Sequence, residues 1–202
     1  MQSYRSLGPN HVHQLMVAPS KHYYLGQDGL VKYQKKPFEL SLEGLAQAKR
    51  QHMVMYVLRD HYSALQYAEV CFAPSFIALR TFLSRAWSDK SGTPLRGLPE
   101  ILLTSRKVTD FFAQDIDAVA SLGVRVLLAT SGFQSGIKGA LDVARHISPC
   151  IDRPPSHLSF WLARFNEFDA QRTLERARRT KADIWQARVG VVRELPPGWG
   201  RE

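Results

Sequence analysis

The chain has 202 residues, 45% hydrophobic and 22% charged, the balance of a soluble globular protein: one domain with a substantial core, with or without a short appendage. No run approaches the roughly 20 consecutive apolar residues that a membrane span requires, and the opening MQSYRSLGPNHVHQ lacks the apolar segment of a secretory signal. A cytoplasmic protein with no membrane partner is therefore expected, and a formal net charge of +9 suits a polyanion partner. Cys71 in YAEVCFAP and Cys150 after a proline have no partner at CxxC or CxxH spacing; both read as free thiols, with Cys71 buried.

In chain order, HVHQLMVAP and KHYYL read as two short strands, and GQDG as a hairpin turn into LVKY. Ser41 can N-cap a short helix, LEGLAQAKR, with Leu42, Leu45 and Ala46 on one face. MVMYVLR and LQYAEVCF then form a second hairpin around DHYSA. From Ser75 to Asp89 the spacing of Phe76, Leu79, Phe82, Leu83 and Trp87 predicts a helix packed on a sheet. EILLT is a buried strand, followed by a helix from Thr109 to a C-cap at Gly123 and by the strand VRVLLAT. The loop SGFQSGIKG precedes the helix ALDVARHI, stopped at Pro149. Two helices, around LSFWLARFNEF and TLERARRTKADIWQAR, and an irregular tail, ELPPGWGRE, complete the chain.

This order predicts an α/β fold: a ribonuclease H-like mixed sheet flanked by helices, with C-terminal helices. The expected division is a core at 1–150 and a C-terminal helical extension and tail at 151–202.

Four tracts carry a resemblance. They are GPNHVHQLMVAPSKHYYL, KPFELSLEGLAQAKRQHMVMYVLRDHYSALQYAEV, GLPEILLTSRKVTDFF and LGVRVLLATSGFQSGIKGALDVARHI. In this order they resemble the integrase-core (DDE, retroviral integrase-like) transposases, with RDHYS the closest local match. The resemblance covers about residues 7–187 and implies a protein of DNA integration or recombination. It also implies three metal-binding carboxylates, and here those positions read Met16, Ser105 and Asp142, the last two separated by 37 residues. A simpler integrase pattern puts the first position at Ser41 instead of Met16, and neither residue is a carboxylate.

That chemistry holds two divalent ions between anionic oxygens, one ion at the attacking and one at the leaving oxygen. A thioether and a hydroxyl bring no charge, and Mg²⁺ gives up its water reluctantly. The resemblance therefore implies a degenerate site, with Asp142 as its remaining carboxylate, and a protein that binds DNA without strand transfer. No cofactor is expected. Mg²⁺ or Mn²⁺ enters only if relocated acids, Asp60, Asp110 or Asp115, restore an active nuclease or transposase. The other alternative is a non-enzymatic scaffold that forms a homodimer.

The histidines His11, His13, His22, His52 and His61 match no common zinc spacing, so no metal site is assigned. From Arg164 to Arg193 there are eight basic residues against four acidic ones. Arg172, Arg176 and Arg179, at helical spacings, are expected to present a basic stripe to DNA phosphates, with Lys138 beside the site as a further contact.

Overall fold

A computed structural model describes residues 6–129, 134–175 and 177–200. Its centre is strand β1 (Val12–Leu25), with β2 (Val31–Tyr33) folding back on its end. Strands β3 (Gln51–Asp60) and β4 (Gln66–Phe72) add antiparallel on one side. On the other side β5 (Ile101–Thr104) and β6 (Arg125–Leu128) add parallel. The order β4-β3-β1-β5-β6, with β2 paired to β1, makes the predicted mixed sheet.

The two strands expected at the start are one, interrupted by a bulge. Pro19 pairs with Val54 and Tyr24 with His52, so four residues of β1 face a single residue of β3. Pro19 has no N–H to donate, and the Ser20 hydroxyl accepts from the amides of His22 and Tyr23 where the ladder with β3 is broken.

Alternation along β1 and β3 assigns two cores. Leu15, Val17, Val54, Tyr56 and Leu58 face α1 (Leu79–Trp87) and α3 (Ala113–Ser121), which bring Phe82, Trp87 and Val119. On the opposite face Met16, Met53, Met55, Val57 and Ala68 meet α4 (Gln134–His146) and α5 (Pro155–Gln171) through Val143, Ile147, Leu158, Leu162 and Phe165. The segment after Ser41 forms a 3-10 turn, Glu43–Gln47, and its Leu42 and Leu45 join the first core. Cys71 is only half-buried against that core, because β4 is an outer strand; Cys150 is the buried thiol.

The helix expected from Thr109 begins earlier and breaks in two, α2 (Arg106–Phe111) and α3. Gly123 ends the second with φ of +75°, as a left-handed C-cap requires. The helix expected at ALDVARHI starts at Gln134, inside the glycine-bearing loop. Gly139 lets it lie close to the sheet: a Cβ there would come within 2.5 Å of Gln66 Oε1 and 3.1 Å of Val57 Cγ1. Gly139→Ala should therefore destabilise the fold by about 1–2 kcal/mol despite alanine's better helix propensity. An unchanged urea midpoint would show that α4 can lift from β3 without cost.

The last predicted helix is corrected. Thr173–Leu174 (β7) and Arg179–Thr180 (β8) form a small hairpin, Arg178 turns it with φ of +51°, and only Lys181–Gln186 (α6) is helical. Thr180 and Asp183 cap that helix reciprocally. The tail is irregular as expected, but it packs: Leu195 and Trp199 lie against the first core, and Arg193 donates to the Leu122 carbonyl at 2.7 Å. No helix among the described residues is long and apolar enough to cross a membrane.

Candidate functional site

Met16 lies mid-strand on β1, opposite Val57 and on the face covered by α4 and α5. The parallel register pairs Gln14 with Leu103, and the Thr104 hydroxyl donates to the Leu15 carbonyl at 3.1 Å. Ser105 directly follows β5 and is the N-cap of α2. Asp142 is on α4, next to Val143, which packs in the same cluster as Met16. Met16 and the helix that carries Asp142 thus meet on one side of the sheet, whereas Ser105 caps α2, whose Val108 packs in the first core. Ser41 does not join the sheet; it precedes the 3-10 turn, where its hydroxyl accepts from Gly44 N–H.

None of the three side chains is available as a free anionic ligand. Met16 is partly buried among apolar groups. The Ser105 hydroxyl N-caps α2 by accepting from Val108 N–H at 3.4 Å. The Asp142 carboxylate is paired with Arg172 at 3.3 Å.

Arg172 is one member of a polar network that reading the sequence missed. Its guanidinium also lies 3.7 Å from Asp169, a wholly buried carboxylate on α5. Asp169 accepts from Gln66 N–H at 2.9 Å and Gln66 Nε2 at 3.2 Å, and it pairs with Lys181 of α6. Arg59, opposite Gln14 on β3, donates to Gln14 Oε1 at 3.1 Å. Burial lowers the pKa of Arg59, while the charges of Asp169, Asp60 and Asp142 act to raise it. Burial likewise lowers that of Lys181 against the pull of Asp169. Three cations and two carboxylates, Asp142 and Asp169, therefore close around the sheet where α4, α5 and α6 meet it.

A signal for part of this existed in the sequence. Alternation from Val57 puts Arg59 on the inward face of its strand, where a long cation needs anionic or amide partners.

This donor set does not fit a divalent ion. Two of the three positions are uncharged, the third is neutralised by Arg172, and further positive charge stands nearby on Arg59. Among the described residues no group of three or more His, Cys, Asp or Glu side chains is arranged to hold a metal.

Two of the acids considered as replacements, Asp60 and Asp115, are engaged elsewhere. Asp60 is wholly buried: it accepts from Asn10 N–H at 2.9 Å and from the amide and hydroxyl of Ser63 at 2.7 and 2.6 Å. Asp115 accepts from Leu79 N–H and pairs with Arg80. His13 is buried and accepts from Trp87 Nε1 at 3.1 Å, whereas His11 lies before β1 with its Nε2 3.8 Å from Glu100.

The basic stripe is corrected along with its helix. With residues 173–180 in a hairpin, Arg172 and Arg179 do not share a helical face, and Arg172 is committed to Asp142 and Asp169. Arg179 is exposed, while Arg176 and the side chain of Lys138 lie outside the described residues.

No family model and no curated protein matches this sequence. Solved structures do. A simian T-cell lymphotropic virus intasome in complex with PP2A regulatory subunit B56 gamma superposes with a TM-score of 0.53 at 13% identity, over 97% of this chain and 62% of that one. This chain thus spans less than two thirds of that neighbour. The HTLV-2 integrase catalytic core domain in complex with magnesium matches in its trimeric form with a TM-score of 0.52 and 16% identity, over 90% of this chain and 99% of that one. Its dimeric form matches with a TM-score of 0.51 and 14% identity, over 91% and 99%. At such identities the likeness is one of architecture: the chain has the ribonuclease H-like fold of a retroviral integrase catalytic core.

Proposed function

We propose that this chain is an integrase-core-like protein of DNA integration or recombination that binds DNA but does not cleave or join it. The observation that supports this most is the ion pair between Asp142 and Arg172, formed on the helix that packs over Met16. In this reading Met16, Ser105 and Asp142 are the remains of the catalytic site, no metal cofactor is used, and the location is cytoplasmic. DNA contact needs only fixed positive charge on a surface and can persist after the acids are gone. We assign such contact to the exposed Arg179, with Arg176 and Lys138 proposed as further contacts. Purified protein should leave supercoiled plasmid intact in Mg²⁺ and in Mn²⁺. Nicking that disappears in Asp142→Ala would overturn the reading.

A metal titration tests the same point without catalysis. The melting temperature of the parent should not respond to Mg²⁺. Met16→Asp with Ser105→Asp and Arg172→Gln adds two carboxylates to that of Asp142 and removes the neutralising guanidinium. That variant should melt lower in chelator and recover in Mg²⁺, gaining about 2.7 kcal/mol when the ion stands at about 100 times its Kd. A triple variant indifferent to Mg²⁺ would mean that these three positions do not converge.

A second reading, a non-enzymatic self-associating scaffold, draws on the exposure of Phe160 and Phe168 on α5, 55% and 58%. Its discriminator is normal oligomerisation with no salt-dependent affinity for DNA.

A further inference from the structure

The C-terminal third is not the only basic part of the chain. Between Lys21 and Gln51 stand Lys21, Lys32, Lys35, Lys36, Lys49 and Arg50, against Asp28, Glu39 and Glu43. Asp28 is spent on Lys32 at 2.8 Å, and Lys32 also reaches Asp152 at 2.8 Å. Lys21, Lys35, Lys36, Lys49 and Arg50 are all exposed.

The fold gathers part of this charge around a cleft of about 770 Å³, lined by Tyr24, Lys32, Lys49, Arg50, Gln51 and the turn from Gly26 to Gly29. Its wall is built from main chain and rings. Gln34 N–H donates to the His22 carbonyl at 2.8 Å and Phe38 N–H to the Lys21 carbonyl at 2.7 Å, so the strip bearing Lys35 and Lys36 runs back along β1. The Phe38 ring stands edge-on to both Tyr24 and His52, at 5.8 and 4.3 Å between centroids. Arg50 is pre-positioned: its guanidinium lies over the Tyr24 ring at 5.0 Å, and Nη1 donates to Gln34 Oε1 at 3.1 Å. Stacking fixes the plane of the guanidinium while leaving most of its five N–H donors free, and a planar fork of donors matches a phosphate bidentately.

We propose that this cleft is a contact surface for the phosphate backbone of a nucleic acid, with Arg50 and Lys49 at its centre and Lys36 on its flank. The proposal rests on the reading of the protein as a DNA binder, and it places contact at the end of β1 remote from Gln14, apart from the hairpin that carries Arg179. The contacts are to phosphate and carry no base recognition, so affinity is independent of sequence.

The test is fluorescence anisotropy of the full chain with two unrelated duplexes of equal length, titrated with salt. Lys36→Gln, Lys49→Gln and Arg50→Gln together should weaken binding at least about tenfold at low salt, equally on both duplexes. The log–log salt slope should flatten by about 2.7, at about 0.9 for each phosphate no longer neutralised. These side chains are exposed, so the melting temperature serves as a check that the variant is folded. Arg50→Lys keeps the charge but not the fork, and should lower affinity while preserving the slope. If the parent binds DNA and the triple variant binds with the same affinity and slope, the cleft is not the contact surface although the protein is a DNA binder. If the parent shows no affinity for either duplex, the reading as a DNA binder fails, and the cleft assignment with it. Polyglutamate of matched charge that competes as well as DNA would overturn the proposal in favour of an acidic protein partner.

Discussion

Lys181→Met should destabilise the protein by about 3 kcal/mol. The Lys181 side chain is 5% exposed, its ammonium reaches Asp169 Oδ1 at 2.5 Å, and the Asp169 side chain is fully buried. Removing one partner of a buried ion pair costs roughly 3–5 kcal/mol, chiefly because the other charge is left without compensation. Here the lower end applies, since Asp169 keeps two hydrogen bonds from Gln66 and has Arg172 at 3.7 Å. In urea the midpoint should fall with little change in slope. Adding Asp169→Asn keeps an acceptor for Gln66 N–H and removes the orphaned charge, so the double variant should be more stable than Lys181→Met alone. A loss below about 1 kcal/mol for the single variant would mean that α6 is held by Trp185 and Ala182, which pack with Leu65, Leu95 and Ala170, and not by the charge pair.

The apolar half of this fold was legible because strands and helices reveal their buried faces by local period. The second hairpin, the helix bearing Phe82 and Trp87, and the strand at EILLT all follow from residues within a few positions of one another. The polar network was not, because its bonds join positions far apart in the chain. Asp142 and Arg172 are 30 residues apart, Arg59 and Gln14 are 45, and Gln66 and Asp169 are 103. Reading Arg172, Arg176 and Arg179 as one stripe failed for a related reason. Helical spacing of basic residues does not by itself make a helix, and the capping pair Thr180 and Asp183 marks the true start of α6. The proposed site rests on the resemblance, which puts no carboxylate at two of its three positions. That the remaining one is neutralised by Arg172 depends on how α4 and α5 converge.

Acidification should destabilise the protein steeply through His13. Trp87 Nε1–H donates to His13 Nδ1 at 3.1 Å, which requires a lone pair on that nitrogen, and Nε2 lies 3.0 Å from Asn10 Oδ1, which it can meet as an N–H. The neutral imidazole is therefore satisfied on both sides, and protonation would force a donor against the Trp87 N–H. Burial, with a smaller contribution from the charge of Lys90, pushes the pKa down to about 3. Below an unfolded value of about 6.5 the unfolded chain takes up a proton that the folded chain refuses, so stability present above that pH is lost as pH falls towards 3. At about 1.36 kcal/mol for each pH unit between the unfolded and folded values, the full loss is of the order of 4–5 kcal/mol. Asp60, 3.7 Å from Nε2, works in the opposite sense: burial raises its pKa, so the folded state holds its proton more readily. His52, His61 and His146 are also lowered by burial and add to the acid slope. Comparison with His13→Gln separates His13 from these groups. The variant should be less stable than the parent at pH 7 and lose less on going from pH 7 to pH 4, so that urea-derived stabilities converge as pH falls. Parallel profiles across that range would mean that His13 is not held neutral by its burial against Trp87.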